Sequence, residues 1–440
     1  MSWLKQGGQY LLAATQAHAR WELDTARTIL GSRTRLIILG LLVLPIFLIG
    51  YAFADEIAQA APNVLGGKKA YSPAFYTISI FLASILIGLC AGLITGAIGA
   101  GGGFIITPAL MSAGVKGILA VGTDLFHIFA KAIMGSAIHR RLGNVSVKLA
   151  LTFLIGAILG ATGGGIINRM LYDMNPVLSD AFITTIYVLM LGLLGSYAMT
   201  DFLRHRRHRE VEVDAHGGGG EAIGKLPRRL QALNLPPMVR FDQRLTPGGR
   251  RISAWFLIAA GFLVGFVASI MGVGGGFLTF PIFVYTMGVS STTTVGTDIF
   301  QIIFTAGYAA ITQYAIYGFI FYTLAMGMLI GSLVGIQLGA MVTMVVPGIT
   351  IRGFYAVAVL AGFVNRLFAL PGKLADMEII SLPKKTSAFL NAIGVWAFFI
   401  VIGAFAVWVI GTFFLNLKRL RGGAGPTPHP GDQAPGEVTS

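Results

Sequence analysis

Apolar stretches separated by short polar ones run along almost the whole of this 440-residue chain. Eight of them lie at 36–54, 75–98, 149–171, 178–200, 253–271, 319–345, 353–370 and 390–416. Each is about 18 residues or longer, the length that carries a helix across a bilayer. Two further stretches, 104–139 and 277–315, are also apolar but are cut by Pro, Gly and Asp. The pattern predicts an all-α polytopic membrane protein with about eight full crossings and two broken hairpins.

The two broken stretches are related. Gly99-Ala-Gly-Gly-Gly-Phe-Ile-Ile-Thr-Pro108 and Gly272-Val-Gly-Gly-Gly-Phe-Leu-Thr-Phe-Pro281 agree at six of ten positions. Val121-Gly-Thr-Asp-Leu-Phe126 then recurs as Val295-Gly-Thr-Asp-Ile-Phe300, the aspartate lying 16 or 17 residues beyond the proline. Duplicated glycine-broken segments at matching places in two halves point to the binding site of a transporter. A backbone in hydrocarbon must satisfy its own polar groups, so an unwound Gly-Gly-Gly belongs where protein or water lines it. Gly101, Gly102 and Gly103, with Gly274, Gly275 and Gly276, would let a ligand or another backbone approach closely. A helix starting at Phe104 or Phe277 would aim free N–H groups and a positive dipole end at that gap, which favours an anion. Pro108 and Pro281, about one turn in, cost such helices little. Tight packing is the other reading of these glycines. It is the expected role of Gly88-x3-Gly92, Gly156-x3-Gly160, Gly261-x3-Gly265 and Gly331-x3-Gly335.

Composition and charge fix the setting. With 55% hydrophobic and 11% charged residues, the chain lacks the polar surface of a soluble protein. Its net charge of +14 would suit nucleic acid, but the basic residues gather in loops, above all 201–252 with eleven Lys/Arg against six acids. Retention on the cytoplasmic face accounts for that loop, and docking of membrane lipid or of a partner is the alternative; nucleic acid is not an expected partner. With a cytoplasmic N-terminus, and with each broken stretch entering and leaving on one side, Lys/Arg outside the linker stand 12 inside to 5 outside. Each unit then makes three full crossings, so the second copy starts on the opposite side from the first. The expected fold is two inverted-topology repeats with discontinuous re-entrant helices in the plasma (inner) membrane. The divisions are a cytoplasmic segment 1–35, an extra transmembrane helix and outer loop 36–74, and a first repeat 75–200. A basic cytoplasmic linker 201–252, a second repeat 253–370, an outer loop and last helix 371–416 and a disordered tail 417–440 follow. Ala52-Phe-Ala54 looks like a signal-peptidase site, but the 35 residues before that apolar run are long for a signal peptide, so an uncleaved anchor is expected.

Within the broken stretches Thr123, Asp124, Thr297 and Asp298 recur. Acids at membrane depth serve a pathway or a structural partner. On a helix Asp124, His127 and Lys131 share a face, and the second copy has Asp298, Gln301 and Thr305 in those places. The aspartates could hold the hairpins or exchange protons, and Lys131 and His127 could attract an anion; Lys116 is a weaker candidate. Arg169 and Arg366 are expected to snorkel to the outer interface. The single cysteine, Cys90, excludes an intrachain disulfide and a Cys-based metal site. His205, His208 and His216 lack metal-ligand spacing, and no nucleophile–base pair stands out. No enzyme activity, cofactor or metal is expected.

The doubled Gly-x-Gly-Gly-Gly-Phe-x3-Pro block followed by Val-Gly-Thr-Asp resembles the TauE/SafE sulfite-exporter (TSUP) family over roughly residues 80–415. The resemblance implies an inverted-repeat permease of the plasma membrane that moves small anions of sulfur metabolism, such as sulfite or sulfonates. It leaves open a coupling H+ or Na+ and a homo-oligomer. A cation- or proton-coupled transporter of another small organic solute and a membrane scaffold are the rival readings. The first 35 residues and the basic linker depart from the shorter members.

Overall fold

In the computed structural model, residues 78–98, 102–141, 145–207, 225–242, 249–342, 345–346 and 348–416 are described. The expected span 36–54, Gly101, the N-terminal segment and the tail from 417 lie outside the described residues.

The first half contains α1 (Ile78–Ile98), α2 (Gly103–Ser112), α3 (Gly117–Arg141), α4 (Val147–Met174) and α5 (Pro176–Arg207). A short helix α6 (Lys225–Ala232) and an antiparallel ribbon of β1 (Met238–Phe241) and β2 (Arg250–Ser253) follow. The second half contains α7 (Ala254–Met271), α8 (Gly276–Pro281) running into a π-helical stretch Ile282–Met287, and α9 (Ser291–Tyr308) running into a second, Ala309–Ala315. Last come α10 (Tyr322–Val342), α11 (Gly348–Asp376) and α12 (Lys384–Leu415). Among the described residues, α1, α4, α5, α7, α10, α11 and α12 are long and apolar enough to cross a membrane, seven in all. They coincide with seven of the eight stretches read from the hydrophobic pattern.

The small residues decide which helices meet. A methyl group at Gly156, Gly160, Gly261 or Gly265 would lie 1.9–2.1 Å from a backbone oxygen of the facing helix, so α4 and α7 touch backbone to backbone. Gly88, Gly92, Gly331 and Gly335 bring α1 and α10 together in the same manner, with 2.0–2.6 Å to the facing carbonyl oxygens. A larger side chain on either face would hold the helix axes apart, which is why small-x3-small patterns mark such crossings. Each of these pairs joins one half of the chain to the other. α5 packs on α11 and α11 on α12, and most of the buried apolar side chains form one continuous core.

The broken stretches divide unevenly. α2 has 10 residues, but α3 has 25, and α9 with its π-helical continuation spans 291–315. At 1.5 Å per residue, 25 residues reach about 37 Å, more than the hydrocarbon thickness. The short limb of the second half instead folds back along α7: the methyl position of Gly275 meets Val264 and Ala268. Its far end returns to where α7 begins, because Arg250 donates to the Gly288 carbonyl (2.7 Å) one strand before α7 starts. Gly288, at φ 70, ends the π-helical stretch, and the Ser290 side chain then caps α9 by accepting from Thr293 N–H. In the first half Gly102 likewise lies against Ala91 and Thr95 of α1, so α2 turns back along α1. The chain thus reverses at each glycine block, and in the first half again after α2, where Thr107 of α2 meets Asp124 of α3.

Candidate functional site

Gly102, at φ 67, sits just before α2, and Gly275, at φ 89, just before α8; this left-handed backbone suits glycine and lets the chain turn sharply into each short helix. The two turns meet. A methyl group on Gly103 would lie 3.0 Å from Val273 Cα and 3.0 Å from Ile128 Cδ1. One on Gly274 would lie 2.8 Å from Ile128 Cγ2, and one on Gly272 2.8 Å from Val121 Cα. The glycine block of each half therefore abuts the other half's block or the α3 segment behind it.

The carbonyls at the end of α7, left without helical partners by the break, need donors at this depth. Tyr187 of α5 donates its hydroxyl to the Met271 carbonyl, and Tyr314 donates to that of Ser269. Asn168 in turn donates to the Tyr314 oxygen (3.1 Å), and Ser179 to the Asn168 side-chain oxygen (3.2 Å). These tyrosines hold the break open at fixed geometry, and the sequence pattern did not single them out.

The repeated threonines have matched roles. Thr123 Oγ1 accepts the N–H of Phe321, just before α10, at 2.9 Å. Thr297 Oγ1 accepts the N–H of Ser146, just before α4, at 3.0 Å. Each copy of Val-Gly-Thr-Asp thus secures the entry to a helix of the opposite half.

The aspartates differ in their surroundings. Asp124 is fully buried, and its Oδ2 accepts from Thr107 of α2 at 3.0 Å. Its Oδ1 faces His127 Nδ1 at 3.7 Å, and neither atom has a hydrogen bond within the described residues. His127 Nε2 lies 2.9 Å from Ser332 Oγ, whose own proton goes to the Gly88 carbonyl at 3.0 Å. Ser332 must therefore accept from His127, so Nε2 carries a proton, and Nδ1 faces the Asp124 carboxylate. Lys131, half-buried one turn further on, donates to Thr95 Oγ1 of α1 at 3.4 Å. In the second half Gln301 donates to Asp298 Oδ1 (2.9 Å) and Thr305 to Gln301 Oε1 (2.7 Å), a chain closed within α9. Asp298 Oδ2 lies 2.9 Å from where a methyl on Gly276 would be, against the start of α8. The first-half set reaches to α1, α2 and α10, whereas this one stays within α9 except where Asp298 faces Thr279 and Gly276 of α8. Thr107, Ser332 and Thr95 completed that set without being anticipated, although Ser332 stands beside Gly331 on a packing face where a polar residue is itself a signal.

The arginines expected to snorkel do otherwise. Arg366 is only 2% exposed; it donates to Asn365 Oδ1 (2.7 Å), Ser112 Oγ (2.7 Å) and the Pro108 carbonyl (3.2 Å), so it secures the end of α2. Arg169 donates to the Gln313 carbonyl (2.7 Å) and side chain (2.8 Å) and lies 4.0 Å from the Tyr317 ring centre. Side-chain and backbone oxygens of neighbouring helices satisfy both guanidinium groups within the fold, which explains the difference. Lys116 donates to the Tyr172 hydroxyl at 3.1 Å, and Lys373 pairs with Asp180 at 3.0 Å, both beside the turn between α2 and α3.

A family model described as sulfite exporter TauE/SafE matches residues 84–366, well over half of the chain and both glycine blocks. Among curated proteins the chain is similar to two from Bacillus subtilis. One is named probable membrane transporter protein YjnA, 26% identical over 58% of this chain and 87% of that one. The other is named probable membrane transporter protein YunE, 25% identical over 59% and 87%. A probable membrane transporter protein of Xylella fastidiosa is 25% identical over 60% and 85%. No solved structure matches the chain significantly. With seven helices apolar enough to cross a bilayer among the described residues, the chain is a multi-pass membrane transporter, and it belongs to the TauE/SafE sulfite exporter family.

Proposed function

We propose that this chain is a plasma-membrane secondary permease for a small anion, with sulfite, a sulfonate or a related sulfur-containing anion as the class. It is built as two inverted repeats, each opening with a re-entrant hairpin: α1 with α2 from outside, α7 with α8 and its π-helical continuation from inside. The observation that carries this is the meeting of the two glycine blocks, Gly103 against Val273, with Gly274 against Ile128 of α3 behind the first block. The exchanged pairing of α1 with α10 and of α4 with α7 supports the repeat, and the matched Thr123 and Thr297 contacts support it again. The start of α2 offers its free N–H groups at that junction, which suits an anion. In this reading Gly102, Gly103, Asp124, His127, Lys131, Gly274, Gly275, Gly276, Asp298 and Gln301 form the pathway past that junction. Lys131 and, when protonated, His127 supply positive charge on one side only, and that asymmetry orients the anion. The family name supports a sulfur oxyanion as substrate.

One observation favours proton coupling as a second reading. The Asp124 Oδ1 and His127 Nδ1 atoms face each other at 3.7 Å with no other hydrogen-bond partner among the described residues, and a proton taken up by either would draw them together into a hydrogen bond. Thr107 from α2, Lys131 from α3, Tyr187 from α5 and, beyond Tyr187, Arg366 from α11 bear on this pair. The test of both readings is uptake of radiolabelled sulfite into proteoliposomes, with and without an imposed pH gradient. Saturable uptake competed by sulfonates but not by sugars or amines supports the anion reading, and uptake driven by the gradient adds coupling. Folded protein that moves no sulfur anion contradicts the substrate class.

A further inference from the structure

The segment joining the halves ends in a small folded unit seated directly before α7. One side of the β ribbon is buried: Val239, Phe241 and Ile252 pack with Leu149 and Phe153 of α4 and with Phe283, Met287 and Val289. Polar links fix it to the end of the second hairpin. Gln231 donates to the Met287 carbonyl (2.7 Å), and the Asp242 carboxylate accepts from Ser290 N–H (2.9 Å) and hydroxyl (2.7 Å).

The opposite side is exposed and basic. Arg240 and Arg251 of the ribbon, with Arg228 and Arg229 of α6, are all exposed, and none of these side chains makes a hydrogen bond or ion pair among the described residues. Arg240 and Arg251 stand directly opposite each other in the ribbon register. Like charges so placed destabilise a ribbon unless an anion lies between them. Close to these cations along the chain, Leu233, Leu235 and Trp255 are each about half exposed. Trp255 is the second residue of α7, so its ring sits at the level where a membrane-crossing helix enters the headgroups. Its Nε1 donates to the Pro236 carbonyl at 3.1 Å, which ties the ring to the stretch that follows Leu233 and Leu235. A soluble acidic partner would answer the arginines but would leave these apolar side chains without a role. Cations and apolar residues at one depth are the signature of an interfacial anchor.

We infer that this face docks the phosphate headgroups of anionic lipid, with Arg240 and Arg251 converging on one phosphate and Leu233, Leu235 and Trp255 seated among the upper acyl chains. Because the same unit holds Met287, Gly288 and Ser290, bound lipid steadies the end of the second hairpin.

The test uses the full chain in phosphatidylcholine vesicles doped with brominated lipid, reading Trp255 emission as the difference between wild type and Trp255→Phe. Brominated phosphatidylglycerol should quench Trp255 several-fold more than brominated phosphatidylcholine at equal content, since each arginine enriches anionic lipid about fivefold. In Arg240→Gln/Arg251→Gln the ratio should fall severalfold, to what Arg228 and Arg229 alone sustain. Equal quenching by the two lipids in wild type, or an excess undiminished by the double substitution, overturns the proposal. Should the double variant fold poorly, wild type in about 1 M salt, where the Debye length is about 3 Å, tests the same point. The excess must shrink there, and an excess indifferent to salt defeats the headgroup assignment.

Discussion

Alanine substitution should act with opposite sign at two kinds of helical glycine. At Gly156 the new methyl would lie 1.9 Å from the Ile258 carbonyl oxygen, and neighbouring positions of the same crossing are as tight. The added carbon needs more than 3 Å, so α4 and α7 must part by over about 1 Å or distort; overpacking of this kind costs about 1–3 kcal/mol. The contacts at Gly160, Gly261 and Gly265 stretch with it, which places Gly156→Ala near the upper end. At Gly403 in α12 a methyl meets nothing within 4 Å. There alanine only removes backbone entropy from the unfolded chain and stabilises the helix by about 0.5–1 kcal/mol. Thermal melting of the detergent-solubilised protein, followed by loss of the monodisperse peak, should rank Gly403→Ala at or above wild type and Gly156→Ala clearly below it. If Gly156→Ala melts with or above Gly403→Ala, α4 and α7 are not in backbone contact, and the joining of the two halves fails with it.

Three further outcomes follow from the site. Lys131→Ala should cut sulfite flux at least about tenfold, the cost of losing one charge-assisted contact, with little change in melting; unaltered flux removes Lys131 from the pathway. Asp124→Asn should leave sulfite exchange without a pH gradient near wild type but abolish gradient-driven accumulation, and accumulation that persists rules out the Asp124–His127 pair as the coupling site. In a Cys90→Ala background, Ala113→Cys in the turn after α2 should react with an impermeant maleimide on intact cells, whereas Arg251→Cys should react only after permeabilisation. Labelling of both from one side is incompatible with inverted hairpins.

Much of this was legible in the chain. Seven spans within the described residues were visible because a bilayer demands about 20 apolar residues whatever the tertiary packing. The glycine pairs of α1, α4, α7 and α10 announced close crossings because no other residue permits them. Family membership was readable from the doubled glycine block with its Val-Gly-Thr-Asp partner. The limbs of the hairpins were harder to read: hydropathy sees that 104–139 is interrupted, but the reversal depends on Gly102 lying back against Ala91 and Thr95, a long-range contact. Arg366 misled for a related reason. From sequence it is a cation near a helix end, and only the fold brings Pro108, Ser112 and Asn365 around it. Likewise Tyr187 and Tyr314 look like ordinary aromatic residues of apolar helices until the carbonyls of Met271 and Ser269 need donors. The basic linker looked like a charged loop because a four-residue ribbon is too short to show a period, and its docked face rests on Asp242, Arg250 and Gln231.

The central claim is that the anion passes where the two glycine blocks meet. Sulfite flux per folded protein in proteoliposomes should be compared for wild type, Gly103→Ala and Gly403→Ala. A methyl at Gly103 enters the gap to Val273 and Ile128, at 3.0 Å from each, whereas one at Gly403 touches nothing. The account predicts that Gly103→Ala loses most of the flux and Gly403→Ala keeps it. Equal flux in all three would contradict it.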